Sequence, residues 1–474
     1  MTTTGTATAG PALGPRLGGL LTVLACNMLV DALEVSALLV AVPAIARDLR
    51  LDAGAAQWPL TGFAVGFGGL LLFAQRLVDR FGRRRVYLVG LAAFAVASLA
   101  AAAADTLWLL VLTRLVKGLC AALTAPTGLA IIAADFPEGR ARERAVSVYT
   151  LFGAAGFSAG LLLSGVLTGI GWRLTLASPA PVVAVLLVAA LRLVPKDRPR
   201  HGGRPLGVAR ALTFTVALLA IVHALTSVPR TGLAGPAGFL SAAAAAAAVT
   251  AWFLTERSRP DPVWSLPPGG AALVRGALSA AALNGSHLGL LLILSLQLQL
   301  LRGWSAPLTA LALLPAALPL VLTALASGRM LRRWGATPLI ALGTLPPCLG
   351  CAWYLAAGTP DDYARDVLPG LLLIATGFVL SFAALNSQAV AGVPPERRGA
   401  AAGFYQTAVQ LGAVLVPAAV AALLEHAAHG GSPGAAAGRP RAALALVTLV
   451  AAAGWATALT GLRRAPAPAV PHER

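Results

Sequence analysis

Charge is scarce in this chain. Acidic and basic side chains make up 11% of its 474 residues, less than half of the roughly 25% that a soluble globular protein carries. Such a polypeptide has too little charge to keep a folded surface in water. A soluble enzyme, a DNA-binding protein and a disordered regulator are excluded together. Lysine is almost missing: of 36 basic residues only Lys117 and Lys196 are lysines. A phosphate-binding Gly-Lys-Ser/Thr loop needs a lysine after glycine, and these two follow Val116 and Pro195. ATP hydrolysis is therefore not expected of this chain. It also lacks a His-Glu-x-x-His metal helix, a Gly-x-Ser-x-Gly elbow and an acidic metal loop. The four cysteines, Cys26, Cys120, Cys348 and Cys351, lie inside apolar stretches and offer no extracellular disulfide framework. Cys348 and Cys351 have metal-motif spacing but no second pair, and read as small residues on a helix face.

Apolar residues fill the gap at 58% of the chain, and the mean hydropathy is +0.79. A bilayer-crossing helix needs about 20 consecutive apolar residues. Fourteen such runs are bounded by charge or by Pro/Gly-rich turns: 17–45, 55–74, 86–104, 107–133, 145–170, 174–191, 211–228, 232–254, 276–301, 306–326, 337–357, 367–391, 399–424 and 442–462. The expected fold is an all-α integral membrane protein with no separate soluble domain. With the N-terminus inside, 26 of the basic residues fall in cytoplasmic loops, eight in outer loops and two within a span. Such a bias orients membrane proteins, and here it places both termini in the cytoplasm. The net charge of +18 is mostly this bias. The first fifteen residues carry no positive charge, and the apolar run after them is too long for a cleavable signal.

Internal similarity organises the spans. Gln75-Arg-Leu-Val-Asp-Arg-Phe-Gly82 follows span 2, and Gly328-Arg-Met-Leu-Arg-Arg-Trp-Gly335 follows span 10, with Arg76, Arg80 and Gly82 matching Arg329, Arg333 and Gly335 at an offset of 253. Pro137-Glu138-Gly-Arg140 and Pro395-Glu396-Arg-Arg398 match at an offset of 258. These registers predict two pseudo-symmetric six-helix halves, 1–195 and 266–474, separated by a two-helix insertion with its linkers, 196–265. Paired halves are how many secondary transporters build alternating access around a mid-membrane site.

Several stretches resemble the major facilitator superfamily, in particular its fourteen-span drug/proton antiporter branch. Arg76-Leu-Val-Asp79-Arg80-Phe-Gly82-Arg83-Arg84 is similar to the family's loop 2–3 signature. Arg114-Leu-Val-Lys117-Gly118, with Pro126, is similar to its span 4 signature. Glu34 to Pro43 resembles the span 1 signature, with Glu34 where the family has aspartate. Gly156-Phe-Ser-Ala-Gly160 with Gly165 resembles the antiporter signature of span 5. Gln75, Lys117 and Leu161 stand where the family has glycine, glutamine and proline. Proline bends a membrane helix and frees a backbone carbonyl, and Leu161 does neither.

The resemblance implies proton-coupled export of an amphipathic small molecule, such as an antibiotic, drug or secondary metabolite. The transporter would be a monomer in a bacterial plasma membrane. Its partners would be the substrate, protons and the bilayer, without nucleic acid, ATP or any bound cofactor, the proton gradient supplying the energy. A facilitator or symporter on the same fold is the alternative. A polytopic enzyme acting on lipid-linked substrates is a third class, for which the outer loops offer only Asp361, Asp362 and the region of His426 and His429.

Charges within the hydrocarbon are costly and functional by default. Four lie well inside spans: Asp31 and Glu34 in span 1, Arg114 and Lys117 in span 4. Spacing of i, i+3 puts each pair on one helix face. Glu34 lies about 16 Å below the outer surface and Lys117 about 15 Å, at 1.5 Å per residue, so the two can meet. Protonation of Glu34 or competition by substrate would release Lys117. Asn284, His287 and Gln297 of span 9 and Asn386 and Gln388 of span 12 are candidate cavity residues. Asp79 and Arg80, with Arg76 and Gly82, form a candidate cytoplasmic gate, whereas Arg83–Arg85 read as solvated charge.

Overall fold

The computed structural model describes residues 14–197, 206–232, 235–257, 270–357, 362–391, 393–394, 398–429 and 433–462. Among them every long element is a helix and there is no strand. Helices satisfy all backbone polar groups within one segment, the condition that lipid imposes. The chain runs α1 (Pro15–Asp48), α2 (Ala53–Ala56), α3 (Trp58–Phe81), α4 (Arg83–Ala102), α5 (Leu107–Asp135), α6 (Arg140–Ile170), α7 (Trp172–Ala177) and α8 (Pro179–Leu193). A hairpin of α9 (Val208–Thr231) and α10 (Pro236–Arg257) follows. Then come α11 (Gly270–Leu296), which a π-helical turn extends to Leu301, α12 (Ala306–Trp334), α13 (Ala336–Gly343) and α14 (Leu345–Ala357). A second π-helical turn at Tyr363–Val367 opens α15 (Leu368–Val390), before α16 (Arg398–His429) and α17 (Pro433–Leu462).

Twelve helical segments among the described residues are long and apolar enough to cross a membrane, where the sequence predicts fourteen spans. This is a multi-pass membrane protein. The second and tenth expected places are held by α3, of 24 residues, and α12, of 29. Neither is among the twelve. Both end in arginine-bearing turns, and side chains within each lie outside the described residues.

The repeat is visible in the backbone. Asp48 ends α1 and Leu301 ends the turn after α11; Phe81 ends α3 and Trp334 ends α12; Arg83 starts α4 and Ala336 starts α13. Each of these pairs is 253 apart. Gly82 and Gly335 occupy the same left-handed corner, with φ of 85° and 75°, where an L side chain would be strained. In the other matched loop, Pro395–Arg397 lie outside the described residues.

Packing differs at the two ends of the bundle. At the end holding Arg83, Arg140 and Arg333, apolar side chains of the described residues form three separate cores. One joins Leu20, Tyr87, Phe136 and Val194 from α1–α8, a small second one Leu71, Val86 and Leu123 from α3–α5, and the third Leu273, Ile340, Phe378 and Tyr405 from α11–α17. At the opposite end a single core runs through both groups, from Leu38 and Trp172 to Leu291, Leu313 and Val416. Ser295 Oγ donates to the Leu39 carbonyl at 2.5 Å and Gln299 Nε2 to the Val40 carbonyl at 3.0 Å, sewing α11 and its π turn to α1 there. The molecule is closed at that end, while the described apolar side chains of the arginine-rich end sit in separate cores.

Small residues set the seams. A Cβ at Gly156 would lie 2.9 Å from Ala32 Cβ, and one at Gly160 would lie 2.6 Å from the Leu33 carbonyl oxygen, so α6 lies directly on α1. Gly165 does the same against α12, where a Cβ would come 2.5 Å from Ala310 Cβ. Leu161 is fully buried, and α6 runs unbroken for 31 residues. The α9–α10 hairpin leans on α3 and α16, and Arg230 reaches Asp52 at 2.8 Å.

Candidate functional site

Glu34 occupies the middle of α1, where 2% of its surface is exposed. The adjacent α5 presents Arg114 and Lys117 one turn apart, both equally buried. Lys117 Nζ donates to Glu34 Oε1 at 2.5 Å, and Arg114 Nη1 donates to Oε2. Arg114 Nη2 also reaches the Glu34 carbonyl at 3.0 Å, and its Nε the Pro59 carbonyl at 3.1 Å. Pro59 sits in the first turn of α3, so Arg114 ties three helices together. The Phe63 ring lies 4.7 Å from the guanidinium and the Phe94 ring 5.0 Å from the ammonium. Two cations thus grip one carboxylate among aromatic faces. Isolated charges at this depth cost several kcal/mol each; paired and hydrogen-bonded they are tolerated, and neutralising one loosens the other two.

Asp31, one turn away, stands apart from this cluster. Its Oδ2 accepts hydrogen bonds from Asn27 Nδ2 at 3.0 Å and Thr124 Oγ1 at 2.9 Å. No ion pair to Asp31 occurs among the described residues. The i, i+3 pairs of the sequence therefore split: Arg114 and Lys117 act together on Glu34, while Asp31 is held by neutral donors.

The loop after α3 is arranged otherwise than its charges suggest. Asp79 and Arg80 are exposed at the arginine-rich end, and Arg80 stacks on Phe81 at 5.9 Å. Arg83 and Arg84, expected to be solvated, are engaged. Asp197 accepts from the backbone N–H of Arg83 at 2.5 Å and of Arg84 at 3.3 Å, capping the start of α4. Arg84 donates to the Leu191 and Val194 carbonyls at 2.6 and 2.7 Å, satisfying the end of α8. Arg83 reaches the Ala130 carbonyl at 3.0 Å. Asp197 was the missed residue. Its signal was a lone acid within an otherwise basic segment. Arg76 faces a small cleft between α3 and the α9–α10 hairpin, shared with Arg210 and Glu256.

The candidate cavity residues do not form one site. His287 is buried on α11 with its ring 4.6 Å from that of Phe378 and 5.8 Å from that of Phe157. Asn284 donates to the Val409 carbonyl at 3.1 Å, joining α11 to α16. Gln297 accepts from the Tyr354 hydroxyl near the closed end. Asn386 is exposed toward the arginine-rich end, where it donates to the Phe382 carbonyl at 2.9 Å. Gln388 lines a separate groove with Arg275, Thr337 and Thr457. His223 packs beside Trp58 at 6.3 Å, and the side chains of His426 and His429 lie outside the described residues.

A membrane bundle with a buried charge cluster and one closed end is the architecture of a transporter. Residues 24–417 match the Major Facilitator Superfamily, and the chain belongs to that superfamily. It is 35% identical to the puromycin resistance protein pur8 of Streptomyces alboniger, over 89% of this chain and 85% of that protein. It is 32% identical to the cephamycin export protein CmcT of Amycolatopsis lactamdurans, over 82% of each, and 34% identical to a lincomycin resistance protein of Streptomyces lincolnensis, over 82% and 80%. In fold it is similar to a D-xylose-proton symporter of known structure, with a TM-score of 0.66 at 15% identity, covering 95% of this chain and 98% of the other. Its role is transport, not enzymatic catalysis.

Proposed function

We propose that this chain is a proton-driven exporter of amphipathic small molecules of the antibiotic, drug or secondary-metabolite class, working by alternating access as a monomer. On this reading it belongs to the fourteen-span antiporter branch, with α3 and α12 as the second and tenth spans. Residues 1–195 and 266–474 are its two halves, and the 196–265 segment is inserted between them. Both termini and the arginine-rich end face the cytoplasm, following the distribution of basic residues, so the closed end faces outward. The names of the relatives support antibiotics as the substrate class.

The single observation that carries the reading is Glu34 held between Arg114 and Lys117. A proton entering from outside and adding to the Glu34 carboxylate cancels the charge that binds both cations. The α1–α5 contact then weakens, and the halves can exchange the open end for the closed one. Release of that proton to the cytoplasm restores the pair and leaves the inward-open form ready for substrate. Asp79 is then an expected cytoplasmic latch, unpaired among the described residues. A facilitator or symporter is the second reading, favoured by the unbroken α6 at Leu161.

Everted membrane vesicles test the choice. With the interior acid they should accumulate puromycin, and collapse of the pH gradient by nigericin should release it. Accumulation that survives nigericin rules out proton drive, and accumulation confined to right-side-out vesicles favours the symporter.

A further inference from the structure

His287 is 97% buried, yet both of its ring nitrogens lack a hydrogen-bond partner among the described residues. Unsatisfied buried polar groups are rare in native structures and need a reason. The imidazole lies between two aromatic rings, Phe378 of α15 and Phe157 of α6. The box around it is therefore closed across the seam between the first and second helical groups. Its position in the repeat is equally specific. The 253-residue register that matches Gly82 to Gly335, and the end of α1 to Leu301, places Glu34 on His287 and Asp31 on Asn284. The polar i, i+3 pair of α1 thus recurs on α11, with a histidine at the place of Glu34.

We infer that His287 is a second proton-exchange site, the counterpart of Glu34 in the second half, whose access to water is governed by withdrawal of Phe157. The inference rests on the proton-driven reading above. In the described conformation the dry box suits neutral imidazole, because a buried imidazolium without an acceptor is costly. When the halves rock, α6 carries Phe157 away and water reaches the ring. A nitrogen then takes up one proton from water on the outer side and gives it to water on the inner side before Phe157 reseals the ring. Acid on the outer side thereby favours the open box. The acids of α1 and the tyrosine of α14 are engaged elsewhere. Glu34 and Asp31 of α1 are bonded within their own clusters, and Tyr354 of α14 is bonded to Gln297. The Tyr405 hydroxyl of α16 is buried and, like the imidazole, has no hydrogen-bond partner among the described residues. Charged residues of α6, α12 and α17 sit only toward the helix ends, and α15 has none.

The test is the puromycin gradient at which net flux reverses, measured in proteoliposomes at a pH difference of one unit with the membrane potential clamped at zero. Each exchanged proton supports a tenfold gradient under these conditions, so loss of one lowers the reversal gradient about tenfold. His287→Phe, which keeps an aromatic ring in the box, and His287→Gln, which keeps a polar group, should both show that drop. Puromycin–puromycin exchange at equal pH should persist in both variants. An unchanged reversal gradient in either variant that still exchanges puromycin overturns the inference. So does lost exchange in His287→Phe that is restored in His287→Gln with the wild-type reversal gradient, because the ring would then be a substrate anchor. If the wild-type protein itself shows no dependence on the pH difference, the proton-driven reading fails, and this inference with it.

Discussion

Glu34 has two cationic partners, and the partners are not equivalent. Arg114 also holds the Glu34 and Pro59 carbonyls, so it fastens backbone as well as charge. Lys117 gives its single bond to the carboxylate. Lys117→Met should therefore leave the helices assembled while removing one of the two cations that face the carboxylate. The expected outcome is transport with a changed pH dependence. Glu34→Gln cannot ionise and should abolish nigericin-sensitive accumulation in everted vesicles. An unaltered pH profile for Lys117→Met makes that lysine a bystander. The meeting of Glu34 with Lys117 was legible from depth arithmetic alone, because residue counts along straight helices convert to height. That Asp31 would be satisfied by Asn27 and Thr124 was not. Both i, i+3 pairs project from the same faces, and only the rotation of α1 against α5 decides which acid meets the cations.

At the scale of elements, glycine placement governs how closely helices approach. Gly160 has no room for a side chain, because Leu33 backbone and Ser36 of α1 already fill the space. Gly171, in the turn after α6, has no heavy atom within 4 Å of where a Cβ would stand, and its φ of 175° is extended backbone. Gly160→Val should push α6 off α1, costing about 1–3 kcal/mol as overpacking does. Its melting temperature in detergent should fall and transport should decline, whereas Gly171→Ala should melt like the parent. Equal melting of all three would show that the α1–α6 contact is looser than described. The sequence placed Gly160 in the span 5 signature but could not say which helix it met. It misjudged Arg83 and Arg84 for a related reason. Charge at a helix start reads as solvated until the end of α8, brought back by the fold, supplies carbonyls and the Asp197 carboxylate.

Across the whole molecule, the two ends of the seam are built to exchange roles. Ser295 is fully buried at the closed end, bonded to the Leu39 carbonyl, while Asn386 is exposed toward the arginine-rich end. In a background with Cys26, Cys120, Cys348 and Cys351 replaced, single cysteines at these two positions report the two ends separately. Without a gradient, Asn386→Cys should react with a water-soluble maleimide and Ser295→Cys should not. Protonation of the mid-membrane sites favours the conformation in which the closed end admits water, because that is where their charge is solvated or neutralised. Acid on that side should therefore raise labelling of Ser295→Cys and lower labelling of Asn386→Cys by the same population shift. Adding Glu34→Gln should shift both reporters toward the acid pattern at neutral pH, since glutamine mimics the protonated carboxylate in releasing Arg114 and Lys117. If the two labelling rates rise and fall together instead of oppositely, the protein is opening by local fluctuation, and the seam is not a two-state rocker.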